Sequence, residues 1–394
     1  MPIESLSVLV VEDESYQQMV MLQILKLIGV AEARAASDGA SALESILVDG
    51  YRPDVMICDL EMPGMDGIQL MRHLVETPFD GAIMLVSAHT AGIMESVSRM
   101  ATTHGLPVIG ALEKPVTHDQ LAALLAKAGT ARTNPSRPTE HEFTKDQIEG
   151  AIERGEFVPF FQAKLHLDGL AVHGAEALAR WLHPNLGLLG PGAFIELVER
   201  YDLMRLFTLK LFEVTLAHLE NWSTLNFEPH VSINVETTTL ADVTFADAVL
   251  EATDGSRTAF RSHISFEVTE RHGVQELAHY LENLNRLRMR GFGLALDDYG
   301  TGFSSMEQLA HIPFTELKLD RSFVDGVADD TRKHSMVEHS VVMAQELGLR
   351  TVAEGLEREQ DADILKALGC DLAQGFLYSK PIGAEDFLQT YGPQ

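Results

Sequence analysis

A chain of 394 residues exceeds one average domain and suits a small domain followed by a barrel-sized one. Its 30 basic and 58 acidic residues leave a net charge of −28, which argues against a protein that binds nucleic acid by neutralising phosphates. Only two cysteines occur, Cys58 and Cys370, far apart and without metal-site spacing; with no signal peptide and no long apolar span, the expectation is a cytoplasmic protein of a reducing compartment with no membrane insertion.

In the first third, the apolar run Val8 to Val11 ends at once in Glu12-Asp13-Glu14, and Met19, Leu22, Ile24 and Leu25 supply apolar positions for a following helix. The pattern returns at Val55 to Asp59, continues through Leu85-Val86-Ser87 and closes with Val108-Ile109 leading to Lys114-Pro115. Strands alternating with helix-length segments predict a doubly wound parallel sheet with helices on both faces, an α/β fold. In such sheets ligands sit beyond the carboxyl ends of the strands, where Glu12, Asp13, Asp59, Ser87 and Lys114 gather.

In order and spacing these residues resemble a response-regulator receiver domain: acids at Glu12 and Asp13, a central Asp59 followed by LEMPGMDG, a hydroxyl at Ser87, and Lys114-Pro115. The resemblance implies that Glu12, Asp13 and Asp59 hold one Mg2+ or Mn2+, that Asp59 accepts a phosphoryl group from a sensor histidine kinase or phosphotransfer protein, and that Ser87 and Lys114 contact its oxygens. One position departs from the family. Three residues before the lysine, where an aromatic residue is usual, stands Ala111.

Residues 1–129 are thus expected to form the receiver, residues 130–142 a linker rich in Pro, Thr and charge, and residues 143–394 a barrel. About 250 residues is the usual size of a (β/α)8-type, TIM-like barrel. Seven times an apolar strand ends in a polar group: Glu176, Asn234, Glu267, Asp297-Asp298, Lys318, Glu354 and Gln374. Asn234 alternates with Ile233 and Val235, Glu267 with Phe266 and Val268, and Lys318 with Leu317 and Leu319, so each polar group faces away from its bulky neighbours. Helical stripes at Leu209, Phe212, Leu216 and Leu219, and at Leu277, Leu281 and Leu284, are expected core.

In a parallel barrel these strand ends converge, and Glu176, Asn234, Glu267, Asp297, Asp298 and Glu354 then offer oxygen donors with no histidine or cysteine among them, a set that suits Mg2+ or Mn2+ better than zinc. Adjacent Asp297 and Asp298 repel unless a cation lies between them, and a shared carboxylate bridging two cations is the arrangement for phosphoester cleavage. Arg180, four residues beyond Glu176 on the same strand face, suits a forked contact to phosphate.

EALARW, EVTE, DDYGTGFSS, KLDRSFV, AEGLE and QGFLYSKP, in this order, resemble an EAL-type cyclic di-GMP phosphodiesterase domain from Phe143 to the end. That resemblance implies opening of cyclic di-GMP to linear pGpG with two cations. Glu176, Asn234, Glu267 and Asp297 would be ligands, with Asp297 bridging to a second ion served by Asp298 and Glu354. Gln162, Arg180, Asp320 and Gln374 would contact substrate, Lys318 would hold the attacking water or a phosphate oxygen, and Glu354 is the candidate base. Pairing of two such barrels into a homo-oligomer is a further expectation. Ala163, Glu236 and Arg358 depart from the usual residues, and no cyclase-type segment is present. A binding-only sensor needs Arg180 but not the full cation cage, and a glycosidase would need neither the lysine nor the asparagine.

Glu270 lies on the strand face opposite Glu267 and Thr269, so it is expected to stay out of that ligand set and to anchor the loop from Tyr299 to Ser305 instead. The simpler alternative is that it caps a helix beginning near Val274.

Overall fold

The valine-rich run Ser7–Val11 (β1) is buried in its apolar positions between two helical layers, as a strand of a covered parallel sheet must be. The computed structural model describes residues 3–77, 79–88, 91–131, 143–269, 276–300 and 305–393. It divides into two compact units, Met1–Thr139 and Glu140–Gln394.

In the first unit β1 is joined by β2 (Glu32–Ala36), β3 (Val55–Asp59), β4 (Ala82–Ser87) and β5 (Val108–Glu113) in the order β2-β1-β3-β4-β5, all parallel. The order reverses between β1 and β3, so a crevice opens at their carboxyl ends, and there the chain places its acids. The helix Ser15–Ile28 buries Met21 and Leu25, whereas Met19 is 54% exposed: the inward stripe runs through 21 and 25 rather than through 19. The last helix, His118–Ala131, extends into the start of the expected linker.

In the second unit the strands are β6 (Phe157–His166), β7 (Val172–His183), β8 (Gly187–Leu189), β9 (His230–Val235), β10 (Ile264–Thr269), β11 (Gly293–Tyr299), β12 (Glu316–Leu319), β13 (Arg350–Ala353) and β14 (Leu372–Ala373). Their order is β6-β14-β13-β12-β11-β10-β9-β7-β8, and a further β6–β7 pairing closes the ring, leaving β8 outside on β7. The TIM-like barrel expected from sequence is therefore present with one difference, that β6 runs antiparallel to both neighbours. The cause is the short connection from His166 to Val172, which permits a hairpin but is too short for a parallel crossover.

Outward-facing Ile233, Val235, Phe266, Val268, Leu294, Leu296, Leu317 and Leu319 are buried in one core with Phe212, Leu216 and Leu219 of the helix Met204–Ser223. Each such side chain contributes about 1.5–3 kcal/mol on burial. Along Leu277–Met289 the buried positions are Tyr280, Asn283, Leu284 and Leu287, with Leu281 packed against the core, while Leu277 is 57% exposed, because it opens the helix and lies off the inward face. Gly174 is fixed by closure: a Cβ there would lie 1.8 Å from the His230 carbonyl oxygen of the neighbouring strand. Among the described residues no helix is long and apolar enough to cross a membrane.

Candidate active site and phosphoacceptor site

In the first unit β1 delivers Glu12 and Asp13, β3 delivers Asp59, and β4 and β5 deliver Ser87 and Lys114 to the same sheet edge. Lys114 Nζ lies 2.8 Å from Glu12 Oε2 and 2.5 Å from Asp59 Oδ2. Burial pushes Glu12 above the ordinary carboxylate value. Burial would lower Lys114, but its hydrogen bonds to Asp59 and Glu12 prevail and hold it above the usual lysine value. Glu12, Asp13 and Asp59 each offer an oxygen within 4.8 Å of the others, an all-oxygen set that fits a hard divalent cation. Ala111 sits half-buried in β5 beside the core, with no bulk to swing.

At the barrel's carboxyl end the alternation of each strand turns its polar residue inward, and the side chains converge on Lys318. Its Nζ pairs with Glu267, lies 2.9 Å from Asp297 Oδ1 and 2.5 Å from Glu354 Oε1, and stands 3.6 Å from Glu176 Oε2. A fully buried ammonium is costly alone, yet surrounded by these carboxylates Lys318 is held well above the ordinary lysine value despite its burial. Asn234 Nδ2 donates to Glu176 Oε1 at 2.5 Å, and Gln374 Nε2 donates to Glu176 Oε2 at 2.6 Å and to Gln162 Oε1 at 3.0 Å. Gln162 and Glu176 are register partners of β6 and β7, so the antiparallel β6 brings Gln162 to this end.

Asp297, Asp298 and Glu354 present oxygens within 4.8 Å of one another, and this set too fits a hard divalent cation. Burial raises Asp298 to about 6, with Asp297 and Asp320 adding to the effect, and burial raises Glu354 well above its ordinary value. Asp298 sits at φ 54°, a left-handed conformation that turns the chain out of β11. At Gly300, φ 97°, a Cβ would lie 2.5 Å from the Phe323 ring. Gln374 Oε1 is buried without a hydrogen-bond partner, an acceptor available at the floor of the site. Gln162, Glu176, Asp297, Lys318, Glu354 and Gln374 share one cavity of about 240 Å3.

Two other expected residues are placed less centrally. Arg180 lies on β7 over the Phe160 ring and donates to the Ala179 carbonyl at 2.8 Å. Asp320 caps the helix Arg321–Val324, its Oδ1 accepting from the Ser322 backbone N–H at 2.9 Å. Glu270 and the loop residues 301–304 lie outside the described residues, so the loop-anchor expectation concerns a part of the chain not described.

Sequence reasoning missed Lys164 and Glu316. Lys164 Nζ, fully buried, lies 2.8 Å from Glu267 Oε1 and 2.8 Å from Glu316 Oε1. Burial alone would push Glu267 up, but Lys164 and Lys318 prevail and hold it at about 2. The signal was phase: Lys164 alternates with Gln162 in FQAKLH, and Glu316 with Lys318 in ELKL, so both face the barrel interior.

Fold and sites define a two-part chain, a sheet with an acidic switch-point crevice followed by a barrel with a carboxylate cage around a lysine. Comparisons with known proteins agree. A response regulator receiver domain model matches residues 8–126, and an EAL domain model matches residues 145–381. Cyclic di-GMP phosphodiesterase RocR of Pseudomonas aeruginosa is 35% identical over 389 residues, 97% of this chain and 98% of that protein. A solved structure named PaMucR phosphodiesterase in complex with c-di-GMP is 32% identical with a TM-score of 0.57, covering 61% of this chain and 98% of that one. A structure of EAL enzyme Bd1971 with cAMP and cyclic di-GMP bound is 27% identical, TM-score 0.58, covering 71% and 77%. The chain belongs to the EAL domain family and carries a response regulator receiver domain in front of its EAL domain.

Proposed function

We propose that this protein is a cytoplasmic response regulator whose barrel hydrolyses cyclic di-GMP to linear pGpG, modulated by phosphorylation of Asp59. The observation that carries the reading is the cage of Glu176, Glu267, Asp297 and Glu354 around Lys318, in a chain alike along nearly its whole length to a protein named as a cyclic di-GMP phosphodiesterase. Glu176, Asn234, Glu267 and Asp297 would hold one Mg2+ or Mn2+, and Asp297, Asp298 and Glu354 would hold a second. When bound, the cations neutralise the scissile phosphate and acidify the attacking water.

The chain's own residues do the rest. Arg180 orients the phosphate with its planar fork, and Gln162, Asp320 and Gln374 contact the substrate. Gln374 and Asn234 also fix the Glu176 carboxylate through the hydrogen bonds that hold both its oxygens. Lys164 and Lys318 keep Glu267 ionised, and Lys318 holds the attacking water or a phosphate oxygen. Glu354 accepts the proton of that water.

In the receiver, Asp59 takes the phosphoryl group from a kinase or phosphotransfer partner, Glu12 and Asp13 share its cation, and Lys114 and Ser87 meet the phosphoryl oxygens. Residues 130–142 serve as the linker, Glu270 anchors the loop after Asp298, and the barrels pair into a homo-oligomer. The deciding experiment incubates the purified protein with cyclic di-GMP and Mg2+ or Mn2+ and separates the products. Linear pGpG is expected; intact cyclic di-GMP that nonetheless binds would make the barrel a sensor.

A further inference from the structure

The barrel's other end holds a second cavity, of about 450 Å3, at the amino ends of the strands and so opposite the carboxylate cage. That volume is ordinary for a small-molecule site. In a chain of net charge −28 its lining sets two guanidiniums, Arg288 and Arg350, and three imidazoles, His173, His230 and His263, against the single carboxylate of Glu228. We propose that this cavity is a binding site for a phosphate-bearing anion, an effector site distinct from the cage.

The partners of each group carry the assignment. Glu228 is engaged, accepting from Ser223 Oγ at 2.7 Å, with His263 Nε2 3.9 Å away. The half-buried Arg288 guanidinium has no hydrogen-bond or ion-pair partner among the described residues. Arg350 Nη1 lies 3.0 Å from His173 Nε2 and pairs with no carboxylate among them. A guanidinium can only donate, so His173 Nε2 accepts, its proton sits on Nδ1, and the ring remains a donor on its other side.

His173 stacks on His230 with centroids 5.4 Å apart. Burial, with Arg350 adding to it, lowers His173 to about 4, and burial with Lys164 and Arg350 lowers His230 to about 3, so both rings are neutral at neutral pH. Among the described residues, groups of three or more His, Cys, Asp or Glu close enough to share an ion occur only in the two carboxylate sets, and these imidazoles form no such group. Two guanidinium forks and neutral imidazole donors in a concave, partly desolvated site suit a phosphate group. The two hydroxyls of the lining are engaged with the backbone, Ser262 Oγ donating to the Ala259 carbonyl at 3.1 Å and Thr315 Oγ1 to the Leu294 carbonyl at 2.9 Å, so the role assigned to the cavity is binding.

The test uses the full chain with histidine rings labelled for NMR, in EDTA, titrated separately with inorganic phosphate, GMP, an oligo-aspartate peptide and, at matched ionic strength, sodium chloride. Saturable movement of the His173 and His230 ring signals with phosphate or GMP, not with chloride, is expected. If inorganic phosphate suffices, the phosphate group alone is read; if only GMP acts, the ligand is a nucleotide. Arg288→Gln and Arg350→Gln should each weaken the response at least tenfold while leaving the melting temperature and cyclic di-GMP turnover near wild type. Arg288→Gln carries the test if loss of the Arg350–His173 contact disturbs folding. Rings that do not move, that move equally with chloride, that move with an oligo-aspartate peptide but not with phosphate, or that respond unchanged in Arg288→Gln would each overturn the proposal.

Discussion

Glu354 is the caged carboxylate with the most access, 17% exposed and 2.5 Å from Lys318, so it can meet both water and substrate. Glu354→Gln keeps shape and hydrogen bonding but removes the proposed proton acceptor. Turnover should fall by about 10²–10⁴-fold while cyclic di-GMP binding, measured calorimetrically, survives. A variant with near wild-type turnover would remove Glu354 from the chemistry. Lys164 acts at greater depth, where replacement by methionine strips Glu316 of its ammonium partner and leaves Glu267 with Lys318 alone. Breaking a buried pair costs about 3–5 kcal/mol, so Lys164→Met should shift the urea midpoint strongly downward. Removing Glu316 as well, in Lys164→Met/Glu316→Leu, should recover about 2 kcal/mol of that loss. Purely additive effects of the two substitutions would show that the pair is not coupled.

Among the elements, β11 carries the most function per residue, since its end turns through Asp298 and Gly300, both at positive φ. Gly300→Ala forces a side chain into the left-handed region, at about 1–2 kcal/mol, and against the Phe323 ring. Asp298 should shift with the turn. The expected result is a higher Mg2+ requirement and turnover about tenfold to a hundredfold lower, and an unchanged Mg2+ titration would refute the link. At the opposite end, the strand starts of β7 and β9 hold His173 and His230 neutral when folded, at about 4 and about 3 against an ordinary 6.5. Below pH 6.5 the unfolded chain binds protons that the folded one refuses, so their contribution is fully present above 6.5 and is lost as pH falls from 6.5 through about 4 for His173 and about 3 for His230. His173→Gln/His230→Gln should therefore flatten the stability profile across that window in chemical denaturation; an equally steep profile would assign the loss to carboxylates instead. Elements of strict period were legible in the sequence: β9, β10 and β12 alternate cleanly, and Asn234, Glu267 and Lys318 lie inside as the phase requires. What escaped was long-range. Nothing local in FQAKLH says that β6 reverses, and the pairing of Lys164 with Glu316 depends on barrel closure that joins residues 152 positions apart. Of the stripe Leu277, Leu281 and Leu284 only Leu277 departs, for a local reason: Leu284 is core and Leu281 packs against it, but a helix end need not follow the inward face of its middle.

At the scale of the whole molecule, one chain joins a receiver domain to an EAL barrel, and the proposed control must pass from Asp59 to the cage without the usual aromatic switch, because β5 carries Ala111 at that position. Lys114 pairs with both Glu12 and Asp59. A phosphoryl group on Asp59 adds charge and oxygens beside that ammonium, so Lys114 must re-aim from the carboxylates to the phosphoryl oxygens. With only a methyl group at position 111, the backbone around Lys114 in β5 and the following helix His118–Ala131 are left to carry the change. Asp59→Asn removes the acceptor while keeping a hydrogen-bonding side chain of the same size. Treated with acetyl phosphate and Mg2+, the wild type should gain one phosphoryl mass and change its cyclic di-GMP turnover about fivefold or more, the lower range of allosteric couplings. Asp59→Asn should show neither effect while retaining basal turnover. A wild type that is phosphorylated yet unchanged in turnover would separate the receiver's chemistry from the barrel's, and equal responses in both proteins would place the control at a residue other than Asp59.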